Sequence, residues 1–306
     1  MRADGCFLCS QNLKVQREIF LKKLVLAVTL LALGSLNMAQ TTRPRSAHPQ
    51  VSPQREGASQ FSKKNALATM ALSAPDDNTC FTAGAGNTFL QFCVTVNGNI
   101  VQIESPQGVP LISSDHGEGY GFCDLATETS YDDYASFGDS GNLQPAITMS
   151  HTAKSVKIAR TTSDGMWTLT QTISLINGIS PSVRITMALK NNTAGARTAA
   201  LVRYADVDAA GVLLNNFDET VDSAFGYNSI DSTLPYGLVL QNLGTVPSHH
   251  LGLVIQNFQP PDACGPFNGV LLNHLEGVEG SLRHAYDFTS IPKSGSLVVT
   301  LEYKKL

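Results

Sequence analysis

Two stretches of the chain gather side chains that can hold a ligand or move a proton. The first runs from Ser113 to Asn142 and carries Asp115, His116, Glu118, Asp124, Glu128, Asp132, Asp133 and Asp139, with Tyr120, Phe122, Tyr131, Tyr134 and Phe137 between them. Aromatic rings offer flat apolar faces to the C–H surface of a sugar, and carboxylates accept hydrogen bonds from its hydroxyls. Tyr120, Tyr131, Tyr134, Asp132 and Asp133 are therefore the candidate ligand-binding residues. His116, set between Asp115 and Glu118, is the best-placed general base, and Glu118 is a second catalytic candidate. No strand pattern stands out here, so the stretch reads as a long loop. In a compact domain that length goes with function or with disorder.

The second stretch is Arg203-Tyr204-Ala205-Asp206-Val207-Asp208, followed by Gly211, Asn215, Asn216, Asp218, Glu219 and Asp222. Its D-x-D-x-x-G spacing is like the opening of an oxygen-ligand calcium loop, in which alternate side chains converge and glycine permits the sharp turn. Ala210 stands where a third ligand belongs and Phe217 where the closing bidentate Glu belongs, which excludes an EF-hand. Two expectations remain: an irregular Ca²⁺ site through Asp206, Asp208, Asn215 and Asp218, or a metal-free strand face on which Asp206 and Asp208 pair with Arg203 or a neighbouring chain. Asp206 is also a candidate catalytic carboxylate. No G-x-S-x-G elbow, H-E-x-x-H pair or phosphate-cradling glycine loop occurs, and His249, His250, His274 and His284 lack ligand spacing.

The elements that must position these residues read as strands. Phe89 to Val96 and Asn99 to Glu104 flank Asn97-Gly98, the signal of a type I′ hairpin. Ser155 to Thr161 and Met166 to Ile176 flank Ser163-Asp164-Gly165. In the second of these, Trp167, Leu169, Gln171, Ile173 and Leu175 alternate with Thr168, Thr170, Thr172 and Ser174, the period of a half-buried antiparallel strand. Val183, Ile185, Met187 and Leu189 mark the next strand, and Thr198 to Val207 the one after. Residues 154–208 thus predict a four-stranded meander of long strands. Further strands are expected at Gly237 to Gln241, Leu251 to Phe258, Leu282 to Thr289 and Ser296 to Tyr303. Helical periodicity is nearly absent after residue 75, with Gly269 to Gly277 ambiguous. The fold class expected is all-β, a large antiparallel β-sandwich with meander hairpins.

Residues 171–208, through their strand rhythm, Asn191-Asn192-Thr193 and Arg203-Tyr204-Ala205-Asp206-Val207-Asp208, resemble the central sheet of galactose-mutarotase-like supersandwich domains. The resemblance implies a supersandwich of the kind found in secreted carbohydrate-active proteins. The His and Glu that act as acid and base in that family have no counterpart at matching positions.

Compartment follows from the other end of the chain. Lys22 and Lys23 precede the apolar run Leu24 to Leu36, which is shorter than the roughly 20 residues of a spanning helix and fits a signal-peptide core. Small residues suited to cleavage follow at Gly34 and Ala39; an uncleaved anchor is the alternative. Residues 1–39 are read as the signal segment. Residues 1–20 look like an over-extended start, with the true one expected near Val15 or Leu21. Residues 40–79, rich in Pro, Ser, Thr and Gln, read as a disordered linker, and 80–306 as the sandwich domain. Cys6 and Cys9 fall in the part to be removed. Cys80, Cys93, Cys123 and Cys264 remain, an even number that suits two disulfides in an exported chain. Three pairings are open. Spacing favours Cys80 with Cys93 and hence Cys123 with Cys264, and four reduced, buried thiols are the alternative.

Net charge is −4, but residues 1–75 hold a surplus of seven positive charges and residues 76–306 an excess of eleven negative ones. An acidic body disfavours nucleic acid, and a membrane is met only during export. The expectation is a secreted, periplasmic or cell-surface protein that binds carbohydrate or another surface ligand without catalysis. A carbohydrate-active enzyme of supersandwich type and a structural or adhesive cell-surface protein are the alternatives.

Overall fold

The computed structural model describes residues 78–114, 116–135, 138–228, 236–244, 249–256, 262–267 and 274–306. The signal segment and nearly all of the linker lie outside the described residues. Among the described residues eighteen strands follow in order: β1 (Thr79–Ala83), β2 (Leu90–Val94), β3 (Ile100–Glu104), β4 (Glu118–Asp124), β5 (Thr129–Tyr134), β6 (Gly138–Asp139), β7 (Ile147–His151), β8 (Ser155–Thr161), β9 (Trp167–Ile176), β10 (Ser182–Asn191), β11 (Arg197–Asp206), β12 (Asn215–Thr220), β13 (Ser223–Tyr227), β14 (Gly237–Asn242), β15 (His249–Gln256), β16 (His274–Val278), β17 (Gly280–Ile291) and β18 (Ser296–Lys305). Among the described residues helix is confined to two short 3₁₀ turns, Gly86–Thr88 and Ala209–Gly211. The protein is an all-β sandwich.

The strands form a three-stranded sheet (β1-β2-β3), a nine-stranded sheet (β16-β12-β13-β14-β18-β10-β9-β8-β7) and a six-stranded sheet (β15-β17-β11-β4-β5-β6). Alternation puts Trp167, Leu169, Ile173, Ile185, Met187 and Leu301 on the inner face of the nine-stranded sheet. There they share one core with Phe122, Leu201, Leu282 and Tyr286 of the six-stranded sheet and with Phe81 and Phe92 of the small sheet. The six-stranded sheet is covered on its other face too. Cys123, Ala200, Val202, Leu253 and Ala285 form a second cluster there with Ala263, and Cys264 and Phe267 pack against it. Disulfides join Cys80 to Cys93 and Cys123 to Cys264. The first links directly opposed residues of β1 and β2, and the second fastens residues 262–267 over β4.

Three local expectations change. Of the four strands expected in the meander over 154–208, only β8, β9 and β10 belong to it: β11 leaves for the centre of the six-stranded sheet, β18 takes the place beside β10, and β7 adds the strand beyond β8. The cause is visible in β11 itself, where Ala199 to Asp206 is buried on both faces, as a strand covered by two layers must be. The Asn97-Gly98 hairpin is not type I′, because only Gly98 has positive φ (90°). The Thr95 carbonyl accepts from the Gly98 N–H at 3.0 Å and the Thr95 N–H donates to the Asn99 carbonyl at 2.9 Å. This is an ordinary turn closed by a left-handed glycine. The supposed loop 113–142 is half sheet: β4 and β5 pair from Gly119↔Tyr134 to Asp124↔Thr129, with β6 alongside. Its acidic and aromatic residues concealed the alternation.

Candidate functional site

The chain's two polar stretches meet at the end of β11. The Asp206 N–H donates to the Gly117 carbonyl and the Ser113 N–H to the Asp206 carbonyl, each at 2.9 Å. The Tyr204 hydroxyl donates to the His116 carbonyl at 3.1 Å, one more tie between the strand and the 113–117 turn. Gly117, with φ 55°, gives that turn the left-handed residue it needs. So clamped, the turn carries His116 onto Asp206, with Nδ1 3.3 Å from Oδ2. The His116 side chain is 39% exposed and that of Asp206 only 3%, so solvent reaches the pair through the imidazole. Ser281, opposite Asp206 on β17, donates to its other oxygen at 3.3 Å.

The electrostatics suit proton exchange. Burial, with a further push from the Asp208 carboxylate, lifts the Asp206 carboxyl to about 6; His116 and Ser281 pull the other way. A carboxyl poised there beside an imidazole can hold or release a proton near neutrality. The loop that follows is held in shape by Asn215, whose amide donates to the Val207 and Val212 carbonyls at 2.9 and 2.6 Å. Within it Ala210 adopts φ 60°, a conformation that a residue with a side chain seldom takes, and its N–H donates to the Pro110 carbonyl at 2.7 Å.

The other expected site residues lie elsewhere. Glu118 is fully buried between the sheets, where its carboxyl meets Arg203 through both guanidinium arms, the Ile100 N–H at 2.8 Å and the Tyr303 hydroxyl at 3.0 Å. Burial pushes it up to about 7 against the pull of Arg203. Arg203 and the Ile100 N–H can only donate, whereas the Tyr303 hydroxyl, which also reaches the Tyr204 carbonyl at 3.1 Å, can accept as well; the group belongs to the core. Asp133 is likewise buried, bound by Arg160, Asn99 and, at 2.9 Å, Asn97. Tyr120 and Tyr131, expected as stacking platforms, are core residues. The Tyr120 hydroxyl donates to the Asn97 carbonyl at 3.0 Å; the Tyr131 ring stacks on Phe122 at 5.0 Å and its hydroxyl donates to Asp164 at 2.8 Å. Tyr134 and Asp132 are half-buried on the outer face of β5, and the Tyr134 ring stands 6.5 Å from that of Tyr204. Of the expected calcium ligands, Asp206 and Asp208 are at the corner with His116. Asp218, on β12, instead accepts from the Tyr227 hydroxyl and contacts His274 Nδ1, both at 2.9 Å. Among the described residues no three His, Cys, Asp or Glu side chains converge as metal ligands.

No protein-family model matches the chain, and no curated protein matches it. Among solved structures it is similar to a bacterial glucoamylase complexed with acarbose, at 11% identity and a TM-score of 0.49, over 76% of this chain but only 32% of that one. It is similar to a putative aldose 1-epimerase from Escherichia coli K12 at 10% identity and a TM-score of 0.43, over 75% of this chain and 99% of that one. A 4-alpha-glucanotransferase from Thermococcus litoralis follows at 10% and 0.42, over 79% of this chain and 41% of that one. Likeness at this level transfers no residue role to this chain.

Ser281 and Tyr204 are the members of the corner that sequence reasoning missed. Neither carries a spacing signal, because each joins it through strand register: Ser281 by facing Asp206 across β11–β17, Tyr204 by lying two residues before it on the same face.

Proposed function

We propose that the protein is exported and that its β-sandwich binds a carbohydrate, or another ligand rich in hydroxyls, at the corner where His116 stands on Asp206. The observation that carries this reading is the pair itself, an accessible imidazole backed by a buried carboxylate at 3.3 Å. Polar groups fixed before the ligand arrives lose little freedom on binding, so such a corner is suited to orienting hydroxyls. Export is supported by the basic-then-apolar segment at Lys22 to Leu36 and by the two disulfides. Among the described residues no helix is long and apolar enough to cross a membrane.

A glycan array followed by calorimetry tests the binding. Wild type should bind at least one glycan class, and His116→Ala and Asp206→Asn should each weaken it tenfold or more. Full binding by both variants would remove the corner from the reading, and no binding by wild type would leave a structural or adhesive protein. Thiol titration of the native chain should find Cys80, Cys93, Cys123 and Cys264 unreactive until reduced.

Catalysis is a second reading, favoured by the Asp206 carboxyl near 6 beside an imidazole. It requires turnover of a bound glycan that stops in His116→Ala while binding persists.

A further inference from the structure

A second group of histidines lies on the inner face of the six-stranded sheet, at its β15 edge. His284 on β17 is completely buried, and among the described residues neither ring nitrogen has a hydrogen-bond partner. A buried polar atom left unpaired is costly, and an imidazole has two. Around it stand the Tyr286 ring at 4.9 Å and the His250 ring at 5.7 Å. His250 is only 19% exposed and its Nε2 lies 2.9 Å from Oδ1 of Asp222, in the β12–β13 turn. The same turn presses on β15: the Gly252 N–H donates to the Val221 carbonyl at 3.0 Å, and just before it on β12 Glu219 accepts from the Val254 N–H at 3.0 Å. Gly252 faces His284 across the β15–β17 pair, so the packing of the turn and the burial of the imidazole belong to one contact.

We propose that this contact is an acid-sensitive latch, closed while His284 is neutral and opened when its imidazole takes up a proton. The charges facing His284 agree with that assignment. From β11, its register partner Arg203 brings a fixed positive charge already committed to Glu118. From β15, His250 adds a second positive charge once protonated. The Asp222 carboxylate, on the other side of His250, is 65% exposed and engaged by His250 and Asn242, which hold its carboxyl below the ordinary range. Glu219 is spent on the β15 backbone.

Burial, with a smaller push from His250, lowers the His284 imidazole to about 3. A histidine depressed in the closed state supports that state fully above its ordinary value near 6.5 and withdraws the support as pH falls toward 3. With one proton taken up on opening, the population of the open form rises about tenfold for each pH unit below 6.5. The latch belongs to the β15 edge and is independent of the His116 corner.

Hydrogen exchange of the full chain, corrected for intrinsic rates, reads it out. Between pH 7 and 5 the amides of Gly252 and Val254 should lose roughly tenfold or more of their protection relative to those of β9, and His284→Leu should hold it. Equal loss in β9 and β15, no loss, or the same loss in His284→Leu would overturn the proposal. Should His284→Leu fail to fold, imidazole resonances of the wild type decide: a His284 ring that titrates near 6.5 in the closed protein overturns it, and one that stays neutral down to pH 5 upholds it.

Discussion

Asp206 sits at the end of β11 with its side chain covered, a second carboxylate two residues on, and a histidine as its accessible neighbour. Its raised carboxyl sets opposite demands on function and stability. A carboxyl held above its ordinary value of 3.8 favours the fold in its protonated form. That support is whole below about pH 3.8 and is lost as pH rises through about 6. Asp206→Asn, which keeps an oxygen for Ser281 but cannot ionise, should therefore gain on wild type in unfolding free energy, measured by urea titration, between pH 4 and pH 7.5, by about 3 kcal/mol at most. A stability difference that does not change with pH would show that the charge is not what strains the site. The chemistry of this corner was partly legible in the sequence: His116 and Asp206 stand out by residue type, one inside an acidic-aromatic run and one in a D-x-D. Their meeting was not, because it depends on backbone bonds between the 113–117 turn and β11 that no spacing announces. Tyr120, Tyr131, Asp133 and Glu118 misled for the complementary reason. A tyrosine or carboxylate looks the same in sequence whether it faces a sugar or completes a buried network with Arg203 or Arg160.

At the scale of elements, legibility follows alternation. β9 and β10 each bury one face and show it in sequence, so their extents and faces were readable. β4 and β11 are buried on both faces; β4 hid behind its glycines and acids, and β11 looked like one more meander strand. The departure of β11 is consequential, since it carries Asp206, Tyr204 and Arg203 into a second layer and brings the 113–117 turn to the site. Contact between layers is equally silent in sequence, and Gly252 is the plainest case. A Cβ there would lie 2.4 Å from the Ser223 carbonyl oxygen and 2.6 Å from that of Thr220, both backbone atoms of the β12–β13 turn. Gly252→Ala must displace that turn, and a loss of about 1–3 kcal/mol is expected from such overpacking. Thermal melts check the size. Amide exchange checks the place, because the added mobility should appear in β15 at pH 7 and leave β9 unchanged. A variant as stable as wild type would mean that the turn yields freely and does not hold the sheets together at this edge.

Across the whole molecule, the sandwich has a third layer over part of its six-stranded sheet, and a covalent bond keeps it there. Residues 262–267 lie on the outer cluster of Ala200, Val202, Leu253 and Ala285, with Cys264 joined to Cys123 near the end of β4. That cluster is small and half of its buried residues are alanines, so apolar burial alone holds the layer weakly. The two disulfides should differ in worth accordingly. Cys80 and Cys93 are 13 residues apart and already face each other across a hairpin, whereas Cys123 and Cys264 are 141 apart. By loop-closure entropy the short bridge contributes about 3 kcal/mol and the long one about 5. Denaturant unfolding of Cys80→Ala/Cys93→Ala and of Cys123→Ala/Cys264→Ala should rank them in that order. Removing the long bridge should also expose the outer cluster, read as binding of a hydrophobic dye before global unfolding, while the inner core keeps its melting cooperativity. Equal losses without dye binding would place the layer's stability in its packing instead. The expected order agrees with an oxidising compartment, because the outer layer depends on a bond that a reducing cytoplasm would not keep.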